Sequence, residues 1–166
     1  MSVAPTTDIL DYINPVSAVG SVICNVAAGA TQINPGEPVV RAQGAVSVTA
    51  MATNKPVVKT DFVVGIAETT STQTASAAGT VQVKPLLPGQ IYLITPNVAA
   101  TWNTQAKYDA LVGKRVLIDL TANLYTILAN DSSTSGCIIM AMNINDNPGK
   151  VAFALDSNLS DLSFQD

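Results

Sequence analysis

Histidine is absent from this sequence. It is the side chain that titrates nearest neutral pH and the commonest metal ligand, so the usual acid–base, triad and zinc chemistries are hard to build without it. Charge is scarce as well. Only 12% of the 166 residues are charged, with 8 Lys and Arg against 12 Asp and Glu and a net charge of −4. The cations are scattered, whereas a nucleic-acid binder clusters them to displace counterions from phosphates, so no nucleic-acid partner is expected. No apolar run reaches about 18 residues, so no membrane-spanning helix is expected. The first residues carry Asp8 and Asp11 but no Lys or Arg, and so lack the basic start of a secretory signal. The two cysteines, Cys24 and Cys137, sit in the apolar stretches VICNV and GCIIM. They read as small buried hydrophobes, with a disulfide between them left open.

What is present is apolar and β-branched: 48% of the chain is hydrophobic. A chain of this length buries enough surface to hold one domain without disulfides or metal. Residues 1–18 read as an N-terminal arm, because Pro5 and Pro15 interrupt regular structure and Ile9, Leu10, Tyr12 and Ile13 give it an apolar middle. Residues 19–156 read as a β-domain. VGSVICNVA, PVVRA, AVSVTA, DFVVGIAE, TVQVKPL, QIYLITP, KRVLIDL, LYTILA, GCIIMAM and KVAFAL are predicted strands, separated by Gly, Pro and Asn turn signals. One short helix is predicted, capped by Asn103 or Thr104 and ended by Gly113. Residues 157–166 read as a C-terminal tail, polar with Leu159, Leu162 and Phe164 as apolar punctuation. The expected fold class is therefore mainly β: a small β-barrel or sandwich with one short helix and extended N- and C-terminal arms.

The chain also echoes itself. Gly36, VVR, AVSVTA, VVGIAE and GTVQV are matched later by Gly113, RVLIDL, LYTIL, SGCIIMAM and GKVAFAL, and Gly65–Gly79 is spaced much like Gly136–Gly149. Each series reads as a hairpin, a strand with a glycine near its start, a polar loop and a glycine-led closing strand.

No catalytic constellation stands out. NINDNPG offers Asn143, Asn145, Asp146 and Asn147, oxygen donors of the kind calcium accepts, but without EF-hand spacing or a bidentate Glu. These are also the usual residues of a hairpin turn, and NINDNPG and ANDSSTSG are both read as turns. No G-x-S-x-G elbow or phosphate-binding glycine loop occurs. A Ser–Lys dyad needs no histidine, but nothing in the spacing singles one out. No catalytic, cofactor or metal residues are assigned. Within KRVLIDL, strand geometry places Val116, Ile118 and Leu120 on one face and Arg115, Leu117 and Asp119 on the other, where Arg115 and Asp119 can form a structural pair or contact a neighbouring chain. Trp102, the single tryptophan, either caps the core or anchors an interface. The candidate interface residues are Ile9, Leu10, Tyr12, Ile13, Trp102, Leu162 and Phe164.

The run AAGATQINPGEPVVRAQGAV, then DFVVGIAETT and GTVQVKPLLPGQIYL, and later YDALVGKRV, LYTIL and GCIIMAM, resembles the small β-rich decoration (cement) proteins of tailed-bacteriophage capsids. The resemblance covers roughly residues 26–155 and rests on soft motifs of common residues. It implies a non-enzymatic protein on the capsid exterior, made in the host cytoplasm. Its expected partners are the major capsid protein and further copies of itself, with a trimer favoured, and it implies no cofactor. The arms and the short helix depart from the shortest members and put the mode of attachment in doubt. The alternative reading is a head-fibre base or host-attachment module that recognises glycans, which would need exposed aromatic rings.

Overall fold

The computed structural model describes residues 6–7, 20–52, 55–87, 89–130 and 132–156. The interface candidates Ile9, Leu10, Tyr12, Ile13, Leu162 and Phe164 lie outside them. The fold is mainly β, as the strand-rich sequence requires. In chain order the strands are β1 (Thr6–Thr7), β2 (Val22–Val26), β3 (Pro38–Ala42), β4 (Thr49–Ala50), β5 (Asp61–Ala67), β6 (Gly79–Pro85) and β7 (Tyr92–Ile94). After helix α1 (Gln105–Asp109) come β8 (Arg115–Val116), β9 (Ile118–Thr121), β10 (Leu124–Ile127), β11 (Cys137–Ile139) and β12 (Val151–Leu155). No described helix is long and apolar enough to cross a membrane.

The sheets show the echo to be structural. The first half forms one antiparallel sheet in the order β2-β6-β5-β3-β4. The second half runs β7-β12-β11-β8, and β9, the continuation of β8, carries β10. With β8 and β9 taken as one interrupted strand, the two orders are the same. Individual hydrogen bonds repeat too. Gly36 N to Ala67 O is matched by Gly113 N to Ile139 O, and Ala67 N to Glu37 O by Ile139 N to Lys114 O. Glu68 N to Gln82 O recurs as Met140 N to Ala152 O, and Leu86 N to Val64 O as Asp156 N to Gly136 O. Gly36 and Gly113 both hold positive φ, 87° and 81°, a conformation glycine adopts without steric cost. One pairing in the sequence echo is displaced by a residue: the register aligns Gly65 with Cys137 and sets Gly136 opposite the place of Val64.

Inward positions recur with the ladder. Val39, Val48, Ala67, Val81 and Val83 are buried, and so are their counterparts Val116, Ile127, Ile139, Val151 and Phe153. The first group centres one apolar cluster, while the second is joined by Tyr92, Tyr108, Tyr125 and Trp102 in a larger one. Val40, Met51, Val63 and Leu86 of the first half also belong to the larger cluster, so β5 is buried on both faces. That is why DFVVGIA shows no clean alternation. Of the barrel and the sandwich left open by the sequence, the sandwich-like arrangement fits. Among the described residues no sheet closes by a continuous ladder, although Val48 N to Asn25 O and Ile127 N to Thr95 O link the outer edges of each half.

The halves meet at a wedge. The β8–β11 register, Val116 opposite Cys137, would next pair Ile118 with Ser135. Instead Lys55 bridges to Ile118 and Val57 to Ser135, so a segment of the first half lies between the two strands. Asp61, only 5% exposed, holds this segment by accepting from Lys55 Nζ at 3.0 Å and Val57 N at 2.9 Å. The interruption falls at Leu117, whose N–H is satisfied by Asn130 Oδ1 at 3.1 Å. The counterpart place in β3 is its bulge between Val39 and Val40.

Four expectations need correction. KRVLIDL is not one strand but two, in different sheets, and Arg115 pairs with Asp156 at 2.5 Å, not with Asp119. AVSVTA is strand only at Thr49–Ala50, because the turn at Gly44 (φ 78°) and the Ala45 N to Ala42 O bond consume its first residues. Val46 is therefore exposed, while Val48 remains buried. The helix is shorter than predicted, although Thr104 caps it and turns lead on to Gly113. No disulfide joins Cys24, half-buried on β2, and Cys137, fully buried on β11, where burial pushes the thiol pKa up.

Gly65 lies opposite Pro85 in the β5–β6 ladder, and a Cβ there would lie 2.0 Å from Lys84 O. Gly65→Ala is expected to cost about 1–3 kcal/mol, read as a lower urea midpoint at unchanged slope. Gly20→Ala, with nothing within 4 Å of its Cβ, leaves the midpoint in place. Equal midpoints for the two variants would contradict this spacing.

Candidate interaction surface

The halves diverge most in their connections. In the first half the loop after β2 and the loop after β5 are stitched together. Ser71 Oγ accepts from Ile33 N at 2.8 Å, and Gln73 Nε2 donates to Ala30 O and Thr31 O at 3.1 Å. In the second half the connection after β7 is longer and carries a 3-10 turn, Ala99–Thr101, and α1. Thr104 forms the N-cap, its hydroxyl accepting from Lys107 N at 3.3 Å.

Tyr108 fastens α1 to the sheet. Its hydroxyl donates to Met140 O and accepts from Ala152 N, both at 2.9 Å, at the end of the β11–β12 ladder. Burial raises the phenol pKa, so the hydroxyl stays neutral and able to donate. Gln105 spans from the helix to the loop after β11: Nε2 donates to Met142 O at 3.0 Å, and Oε1 accepts from Ile144 N at 3.1 Å. Within that loop Asn143 Oδ1 accepts from Asn145 N at 3.0 Å and Asn143 O from Asp146 N at 3.1 Å. This is the turn geometry expected of NINDNPG.

A groove of about 290 Å³ remains between the helical connection and this loop, lined by Pro96, Trp102, Asn103, Ile144, Pro148 and Lys150 among others. Trp102 is 4% exposed and packs edge-on against Tyr108, ring centroids 6.1 Å apart. It is thus a core residue with one edge on the groove. Its Nε1 is buried with no hydrogen-bond partner among the described residues. Lys150 Nζ lies 3.2 Å from Thr95 Oγ1. A second, more open hollow is lined by Gln105, Asp109, Met142 and Asn143 among others. Among the described residues no group of three or more His, Cys, Asp or Glu could hold a metal.

Of the interface candidates, only Trp102 falls within the described residues. Gln105, Ile144 and Lys150 were missed as surface-forming residues. The available signal was NINDNPG, which was singled out as a turn and supplies one wall of the groove. Comparison with family models, curated proteins and solved structures gave no match to this chain.

Gln105→Ala should release the loop from the helix. Hydrogen exchange at the Ile144 amide is expected to quicken at least several-fold, with the Ala152 amide, held by Tyr108, unchanged. Unchanged exchange at Ile144 would show that the bridge does not hold the loop.

Proposed function

We propose that the chain is a non-enzymatic structural protein of a bacteriophage virion. In this reading it binds the major capsid protein on the outside of the shell and reinforces it, acting as a homo-oligomer with a trimer favoured. The observation that carries this reading is how the first segment of the chain is used. Thr6–Thr7 adds in parallel to β10, opposite Leu124 and Tyr125, as a strand on an edge. Main-chain addition of an extended segment to a sheet edge is a general mode of protein attachment, because backbone bonds supply affinity independently of side chains. The Thr6–Thr7 pairing is made to this chain's own β10, and the same main-chain mode suits fixing a protein to a neighbour, where many copies on one lattice need only modest affinity each. The sequence resemblance points the same way.

The glycan-binding alternative draws little support from the described aromatic residues. Tyr92, Tyr108, Tyr125, Phe153 and Trp102 are all buried, and Phe62 is half-buried beneath Arg41, whose guanidinium carbon lies 5.8 Å from the ring centroid. Sugar stacking needs an open ring face, which these rings do not offer.

Deleting residues 1–18 is expected to weaken attachment to undecorated shells at least tenfold in co-sedimentation, while the circular dichroism spectrum and thermal transition stay close to those of the intact chain. Wild-type occupancy by the folded truncated protein would refute the arm's role.

A further inference from the structure

The two halves share a ladder but not its cover. Val48 N to Asn25 O matches Ile127 N to Thr95 O, so Val46 is the counterpart of Tyr125, Val22 of Tyr92 and Cys24 of Ile94. In the second half Tyr92, Ile94 and Tyr125 are at most 2% exposed. In the first half Val22 and Cys24 are only half-buried, and Val46 is 83% exposed. Ile23, between them, is 76% exposed against 7% for its counterpart Leu93. A neighbouring strand accompanies the difference. In the second half β1 lies opposite Leu124 and Tyr125, on the edge of β10 away from β9. At the counterpart place the chain bends at Val46 and Ser47, and Val46 makes no backbone hydrogen bond among the described residues. An unpaired edge of this kind invites pairing, and proteins commonly cover it.

The sequence beyond Asp156 supplies a segment that fits. The spacing from Val22 to Tyr92 is also that from Val83 to Phe153. The same step taken once more carries Tyr92 to Leu162 and Ile94 to Phe164. Residues 157–166 thus bring apolar side chains to the two positions that β2 and β7 turn inward, with Ser163 between them. Both of those strands run parallel to the edge in question. Four antiparallel steps separate β2 from β4, and four separate β7 from β10 when β8 and β9 count as one strand.

The wedge brings the start of this segment to the first half. Asp156 N bonds to Gly136 O, Gly136 N to Pro56 O and Asp61 N to Val57 O, and Asp61 pairs with Ala42, where the turn toward Val46 begins. Four steps of about 5 Å, roughly 20 Å at most, therefore lead from Asp156 to Ala42. An extended chain at about 3.3 Å per residue covers that distance by Leu162. A second copy is not needed to supply the segment.

We propose that residues 162–164 lie along the open edge of this chain's own first half, parallel to β4, with Leu162 and Phe164 over Val46, Val22 and Cys24. The segment before the first half then covers the second, and the segment after the second half covers the first. Tethering supplies a high effective concentration, so weak intrinsic pairing is enough. The inference goes beyond the shell-binding reading, and its test involves no shell.

The test compares the whole chain with the same chain carrying Leu162→Ser and Phe164→Ser. In the labelled wild type, nuclear Overhauser contacts are expected from the Phe164 ring to the methyl groups of Val46 and Val22. Exchange of the Val46 amide should quicken at least fivefold in the double variant, while the Ile127 amide, held by Thr95 O, keeps its rate. In an equimolar mixture of labelled and unlabelled wild-type chains, an isotope-filtered spectrum should show no contact between Phe164 of one chain and Val46 of another. Absence of the Phe164 contacts in the wild type would overturn the proposal, and so would an unchanged Val46 rate in the double variant. Contacts between chains would overturn it as well, since the segment would then belong to a second copy.

Discussion

The wedge of Lys55–Val58 between β9 and the start of β11 is the constraint on which the rest of the molecule depends. An uninterrupted ladder would carry β8 and β9 as one strand beside β11 and leave the halves without a backbone ladder between them at this place. Instead Lys55 and Ile118 exchange backbone bonds of 3.0 and 2.6 Å, Gly136 N reaches Pro56 O at 3.1 Å, and Val58 N reaches Thr134 O at 2.9 Å. Each such bond contributes about 1 kcal/mol net. Their greater effect is to aim the outer face of the first half, Val40, Met51, Val63 and Leu86, into the apolar cluster of the second. Tyr125 fixes the same seam by donating to Met51 O at 2.8 Å.

Because the two halves share strand order and hydrogen-bond pattern, their differences are informative. The first half fills its interior with valines and ties its loops together. The second replaces Val83 by Phe153 and Val22 by Tyr92, which needs a wider interior, and roofs it with a helical connection. Trp102 and Tyr108 belong to that roof and turn their rings into the core, and the groove opens beside them. Recognition surfaces arise where a scaffold can be varied without disturbing its ladder, and loops between edge and central strands are such places.

Much of this was legible in the sequence. Period-2 alternation in TVQVKPL and β-branched density in VICNV marked strands, and Gly36 and Gly113 marked equivalent entries to β3 and β8. Thr104 and Gly113 bounded the helical connection because capping chemistry is local. Most of what failed was non-local. Nothing in KRVLIDL announces that a distant segment will split it at Leu117, since each residue in it suits a strand. AVSVTA alternates as a strand should, yet a tight turn took its first half. Arg115 turned to Asp156 rather than Asp119 because β12 runs beside β11 and delivers Asp156 to the sheet end. The groove was invisible because its lining comes from two connections far apart in sequence.

The most direct test of this architecture is the measurement of through-hydrogen-bond couplings in the amide spectrum of the labelled, full-length protein. The wedge predicts a coupling from the Ile118 amide to the Lys55 carbonyl and from the Gly136 amide to the Pro56 carbonyl. A coupling from the Ile118 amide to the Ser135 carbonyl instead would mean that β9 and β11 pair directly, and the account of how the halves are joined would be wrong.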